Sequence, residues 1–208
     1  MVSYREDSAV DGDASNYQTA EVNMPRPTEV LKNEHLVIKR MLDVLSIAAD
    51  RLDKGQEVDP SVFDRSLDFI RQFADYSHHG KEEDVFFVAV EAAGMPRNAG
   101  PVGVMLEEHD EGRKAVQKMA DGLAKYRTGD QSAVPGLVRG ARDYVYVLRN
   151  HIPKEDDILY PMGDEMISVQ AQAKMAQQFE QVQKDRMGDR QQYYLQMVED
   201  LEKELGVK

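Results

Sequence analysis

One pattern is written twice in this chain, and it narrows the fold more than any compositional figure. Glu34-His35 and, further on, His79 with Glu83 and Asp84 recur as Glu108-His109, 74 residues on, and as His151 with Glu155 and Asp156, 72 residues on. The doubled motif takes in four of the five histidines, and in each copy a carboxylate follows a histidine by one helical turn. Residues at i and i+4 share a face on a helix, so the pattern asks for helices whose inward faces carry imidazole and carboxylate together.

The apolar periodicity agrees. After Thr28, a residue able to cap a helix start, Leu31, His35, Ile38, Leu42, Leu45, Ala49 and Leu52 recur at alternating steps of four and three, up to Gly55. Asp59-Pro60 reads as a cap followed by proline in the first turn, and Leu67, Ile70, Phe73, Tyr76, His79, Glu83, Phe86 and Val90 carry a second stripe to Gly94. A third stripe, Val102, Met105, His109, Val116, Met119 and Leu123, runs towards Gly129. A fourth starts between Ser132 and Pro135 and continues through Val138, Ala141, Tyr144, Leu148, His151, Glu155, Ile158 and Met162. No stretch alternates with period two, so no strand is expected. His35 and His79 lie about 20 residues to either side of the first turn, as His109 and His151 do around the third, so antiparallel pairing levels each couple.

The expected fold is all-α: an up-down-up-down antiparallel four-helix bundle over 27–163 with a C-terminal helical extension over 164–208. The acidic segment 1–26 has no sustained period and reads as a mobile tail. The extension is rich in Gln, Met, Lys and Glu and offers Phe179, Val182, Tyr194, Leu195, Met197, Val198 and Leu201 for burial. Those residues serve either packing against the bundle or a homo-oligomer formed through the C-terminal helices.

Composition closes off other classes. There is no cysteine, so disulfides and thiolate-held metals are excluded and any metal must be held by nitrogen and oxygen. A net charge of −12 without a dense basic cluster argues against nucleic acid. The longest apolar runs fall far short of the roughly 20 residues that span a bilayer, and the acidic, polar start lacks a secretion pattern, so a soluble cytoplasmic protein is expected.

Four histidines in phase with core positions, one per helix, and two carboxylates on the same faces have the composition of a two-metal site: His35, His79, Glu83, His109, His151 and Glu155. Burying two carboxylates without compensating charge costs several kcal/mol per ion, which two dications remove. His78 with Glu82 offers the same i+4 spacing. The apolar phase and the match to His151 and Glu155 favour His79 and Glu83, leaving His78 and Glu82 solvated or beside the ligands. Pro153 removes a helix hydrogen bond and so opens an alternative in which Asp156 is presented instead of Glu155. Six side chains cannot fill two octahedral ions, so oxygen ligands from outside the chain are needed, which suits iron better than zinc. Tyr76, Tyr144, Glu34, Glu108 and Arg113 are the residues set to contact these ligands.

With these residues in these places the chain resembles the hemerythrin-like HHE cation-binding family over about 28–163. The resemblance implies two iron ions cycling between Fe2+ and Fe3+ with an oxo or hydroxo bridge, small gaseous or peroxide ligands, and an external reductant of unknown identity. The family's oxygen carriers have a fifth histidine one turn after the helix 3 ligand, where this chain has Arg113. The four-histidine, two-glutamate set is more similar to di-iron proteins of nitric oxide stress and iron-centre repair, whose cysteine-containing N-terminal domain has no counterpart here. The function expected is binding or reducing small oxidants (O2, peroxide, NO) in oxidative or nitrosative stress. The alternative is a non-catalytic iron-handling, O2-binding or sensing protein.

Overall fold

A computed structural model describes residues 26–207. Among them the regular elements are all helical: α1 (Pro27–Asp53), α2 (Pro60–Phe69), α3 (Phe87–Ala92), α4 (Gly100–Tyr126), α5 (Val134–Lys154), α6 (Tyr160–Met166), α7 (Val169–Val182) and α8 (Gln191–Leu205). Wide π-helical turns at Ile70–His79 and Glu82–Phe86 join α2 to α3, and another at Glu155–Leu159 carries α5 into α6. The segment expected as a mobile tail lies outside the described residues, apart from Arg26.

Local chemistry explains the boundaries. Asp59 caps α2 by accepting from the Ser61 backbone N–H at 2.8 Å, with Pro60 in the first turn where its missing donor costs nothing. Thr28 is not the cap of α1. It is buried inside the first turn and donates its hydroxyl to Asp164 at 3.0 Å, because Pro27 already occupies the first helical position after Arg26. Gly55 and Gly129 close α1 and α4 at φ 73° and 88°, a region open to glycine.

Cross-helix partners give the directions. Asp43 meets Arg149 at 2.7 Å and Asp50 meets Arg142 at 2.8 Å, while Lys39 meets Asp156 at 2.9 Å, so α1 and the α5–α6 rod run oppositely. Arg127 with Asp64, and Arg113 with Asp75, set α4 against the α2–α3 rod in the same way. The α4 and α5 backbones approach so closely at Gly122 and Gly140 that a Cβ on either would collide with the facing helix. That approach holds the two helices carrying His109 and His151 together.

Two apolar clusters fill the interior. One joins Ile38 to Leu52, Val62 to Ala74, Ala115 to Leu123 and Leu137 to Ile152; the other joins Leu31, Val85 to Val90, Val102, Met105, Leu159 and Tyr160. Between them, at the same level on all four rods, lies a buried polar layer of histidines and glutamates.

The C-terminal residues lie back on this assembly. Met175 and Phe179 of α7 join the second cluster, and Tyr194, Met197, Val198, Leu201 and Leu205 of α8 join the first. Arg40 grips Glu202 at 2.6 Å and Arg51 donates to the Leu205 carbonyl at 2.6 Å. Val182 and Leu195, expected in this interface, are half-buried. No helix among the described residues is long and apolar enough to cross a membrane.

Candidate metal centre

All five histidines meet in the polar layer. His35 and His78 approach Nε2 to Nε2 at 3.0 Å, and His109 and His151 do the same at 3.1 Å. Glu82 and Glu155 lie between the pairs: Glu82 reaches His78 and His109 at 3.5 Å, and Glu155 reaches His151 at 3.1 Å and His35 at 3.3 Å. Two groups of donors converge closely enough for an ion, His35, His78, Glu82 and Glu155 in one, His79, His109 and His151 in the other.

Each imidazole is held from behind by a carboxylate on Nδ1. Asp156 holds His35 at 2.7 Å, Glu34 holds His78 at 3.0 Å, Asp75 holds His79 at 3.1 Å, Glu83 holds His109 at 2.7 Å and Glu108 holds His151 at 3.0 Å. A carboxylate accepts the Nδ1 proton, which leaves Nε2 as a lone pair facing inward, the arrangement typical of metal-bound histidine. Lysines balance three of these acids, Lys39 on Asp156 at 2.9 Å, Lys81 on Glu34 at 2.5 Å and Lys154 on Glu108.

The charges fit a cation. Burial and the neighbouring Glu155 push the Glu82 carboxyl well up, whereas at Glu155 the pull of His151 and His35 overcomes burial and holds it down. Burial depresses His78 and His109 to about 3, while at His151 the Glu155 and Glu108 carboxylates together outweigh burial and raise the imidazole to about 9. A proton on His151 therefore balances Glu155 when no metal is bound. Even so, Glu82 Oε2 and both Glu155 oxygens are buried without a hydrogen-bond partner. Two Nε2-to-Nε2 approaches at 3.0 and 3.1 Å beside buried carboxylate oxygens without hydrogen-bond partners form a donor set that a metal ion would satisfy.

The layout departs from the sequence expectation at one step. Glu83 turns away from the centre to His109 Nδ1 and to Arg113, and those donors together outweigh burial and hold its carboxyl down to about 2. Glu82 occupies the inward place, with His78 one turn before it. The cause is the π-helical stretch. Its i→i+5 bonding takes more residues per turn, so the inward face follows Ile70, Ala74, His78, Glu82 and Phe86 in steps of four instead of alternating four and three. The same slip leaves Tyr76 half exposed beneath the Arg186 guanidinium, off the core stripe on which it was expected.

A signal for the right register lay in the Lys-Glu pair common to both copies. Aligning Lys81-Glu82 on Lys154-Glu155 matches His78 to His151, Glu83 to Asp156 and Phe87 to Tyr160. Asp156, weighed as an alternative ligand, is instead the support of His35. Glu34 and Glu108 contact His78 and His151, and Arg113 is paired with Asp75, Glu83 and Asp110. Tyr144 is buried with an unpartnered hydroxyl and lines a cavity of about 20 Å³ with His79, His109 and His151. Sequence reasoning passed over Asp75, Lys81 and Tyr160. The Tyr160 ring stacks on His35 with centroids 5.7 Å apart, and its hydroxyl donates to Glu82.

Helices that converge imidazoles and glutamates on one buried layer define a cation-binding helical protein. The family described as Hemerythrin HHE cation binding domain matches residues 26–163, and this chain belongs to it. An uncharacterized protein of Mycobacterium tuberculosis is 26% identical over 188 residues, covering 90% of this chain and 72% of that protein. A protein of Mycobacterium bovis matches to the same extent. The iron-sulfur cluster repair protein YtfE of Cronobacter sakazakii is 32% identical over 92 residues, 41% of this chain and 39% of that protein.

Proposed function

We propose that this chain is a non-haem di-iron protein that binds or reduces small oxidants such as O2, peroxide or NO in oxidative or nitrosative stress. It does so from an up-down-up-down four-helix bundle over 27–163, with 164–208 as a packing extension. The observation that carries the reading is the pair of Nε2-to-Nε2 approaches around three buried glutamate oxygens without hydrogen-bond partners. His35, His78, His109 and His151 would be the nitrogen ligands, with Glu82 and Glu155 as the shared carboxylates. This replaces Glu83 and gives His78 the place first assigned to His79. Mixed nitrogen and oxygen donors with two carboxylates suit iron over a closed zinc site. When bound, the iron pair supplies one-electron steps between ferrous and ferric states. Similarity to an iron-sulfur cluster repair protein over part of the chain supports the stress setting.

The chain's own groups have definable tasks around that centre. Asp156, Glu34, Glu83 and Glu108 fix the tautomers and ring orientations of the four ligands. Tyr160 orients Glu82 and holds a proton at its hydroxyl oxygen, burial having raised its pKa well above the usual value. The Tyr144 hydroxyl, buried without a partner, would be available to donate to a small molecule in the adjoining cavity of about 20 Å³, which has room for a water-sized guest.

Metal analysis of protein made in iron-replete cells tests the proposal, combined with absorption spectra on addition of dithionite, O2, peroxide and NO. Two irons per chain and ligand-dependent ferric bands are expected; a colourless protein containing zinc alone would sink it. One observation favours the non-catalytic alternative, an iron-handling or sensing role: the C-terminal residues touch the turn carrying His78 and Glu82. Gln183 accepts from Lys81 at 2.8 Å, and Arg186 sits where a Cβ on Gly80 would be, donating to the Tyr76 carbonyl at 2.9 Å. Under that reading, association with a partner or a second copy changes with metal. Light scattering that gives one state for stripped, ferrous and ferric protein removes its support.

A further inference from the structure

The absence of a fifth histidine on α4 leaves Arg113 to be explained, and its surroundings explain it. The guanidinium donates to Asp75 Oδ1 from Nε at 3.0 Å and from Nη2 at 2.8 Å, and from Nη2 to Glu83 Oε1 at 2.6 Å. Each of those oxygens also accepts from an imidazole, Asp75 Oδ1 from His79 Nδ1 at 3.1 Å and Glu83 Oε1 from His109 Nδ1 at 2.7 Å. One cation thus anchors two acids, and each acid anchors one ring.

The consequence is geometric. With both Nδ1 atoms tied to the same guanidinium, the two rings stack nearly parallel, 3.8 Å between centroids and 16° between planes. His79, His109 and His151 each offer a ring nitrogen to one group, with the three nitrogens within 4.8 Å of one another. His79 is buried among His78, His109 and His151, at a place where the second copy of the motif has the apolar core residue Ile152.

Resting on the metal-centre reading above, we propose that His79 is a fifth nitrogen ligand and that Arg113 is the residue that positions it. His79 lies on the α2–α3 rod, and Arg113 holds it from α4 through Asp75. The ion beside His109 and His151 then has three imidazoles, and the ion beside His35 and His78 has two. The two irons are inequivalent for that reason.

The test compares His79→Ile, which copies the second motif, with Arg113→Gln, Arg113→Lys and Asp75→Asn in the full chain, loaded with ferrous iron. Metal titration and Mössbauer spectra are read, with the melting temperature of the metal-free form as the folding control. His79→Ile should weaken one of the two ions by about 100-fold or more and bring the two iron signals closer together. Arg113→Gln and Asp75→Asn should weaken the same ion by about 10- to 100-fold, with Arg113→Lys recovering part of the loss. Arg113→Gln combined with Asp75→Asn should cost less than the two single losses added. Two ions bound by His79→Ile with unchanged affinity and unchanged spectra would overturn the proposal while leaving the metal centre standing, and so would an Arg113→Gln loss confined to metal-free stability. Wild-type protein that takes up no metal would instead overturn the centre itself.

Discussion

The two copies of the motif build two halves of one centre, and their differences are more instructive than their likeness. His35 matches His109, His78 matches His151, Glu82 matches Glu155, and each helix-borne histidine is backed by an acid in the same relation. Yet Lys81 is buried at 1% exposure under Gln183, whereas its counterpart Lys154 is 39% exposed. Tyr160 stacks on His35 and donates to Glu82; its counterpart Phe87 stacks on His109 and has no hydroxyl for Glu155. His79 faces the centre where the second copy has Ile152. The repeated scaffold supplies ligands in pairs, and single residues around it decide where the charge sits.

Exchanging the two adjacent glutamates strikes this comparison hardest. Glu82→Gln should empty the centre or leave it with one ion by metal analysis, while Glu83→Gln keeps both and weakens binding by about 10- to 100-fold. The reverse order would return Glu83 to the ligand set. The lysines come next. Lys81→Met strands the Glu34 carboxylate in the interior and should cost about 3–5 kcal/mol in denaturant unfolding, whereas Lys154→Met, at a partly exposed pair, should cost under about 1 kcal/mol. Equal losses would mean that the C-terminal cover over Lys81 has no energetic effect.

Tyr160→Phe makes the first half more like the second. It removes one donor from buried Glu82 and should destabilise the metal-free protein by about 1–3 kcal/mol, visible as a lowered urea midpoint with an unchanged slope. The mildest probe is pH. In metal-free protein His151 should titrate near 9 and its counterpart His78 near 3, followed by their ring proton resonances. His151, raised when folded, contributes stability fully present below about 6.5 and lost as pH rises through 9. His78 is depressed, so its contribution is present above about 6.5 and declines as pH falls towards 3, because the unfolded chain then binds a proton that the folded one resists. Similar titration of the two rings would show that Glu82 and Glu155 share their proton evenly.

Much of this was readable in advance from spacing. The steps of three and four put Leu31 to Leu52 on one face of α1, and Asp59-Pro60 marks the start of α2; both hold in the structure. His35, His109, His151 and Glu155 all fall on inward faces for the same reason. The adjacent pairs His78/His79 and Glu82/Glu83 were not separable that way. A choice of one residue depends on helical phase, and phase is what the π-helical turns alter. Lys81 and Tyr160 were invisible because their roles depend on partners 47 and 78 residues away in the chain, as does the tie from Asp75 to Arg113, 38 residues away.

Side-chain chemistry and period alone therefore specify helices with histidine and carboxylate on their inward faces and, in the absence of cysteine, a centre of nitrogen and oxygen donors. Local spacing suffices for that, since i+4 neighbours meet on any helix. Packing settles the rest: which of two neighbouring glutamates turns inward, that Arg113 ties Asp75 and Glu83 together, and that Lys81 is sealed by the C-terminal residues. Those outcomes depend on the widening of a turn and on groups brought together from distant parts of the chain, and neither is encoded in the spacing of a single segment.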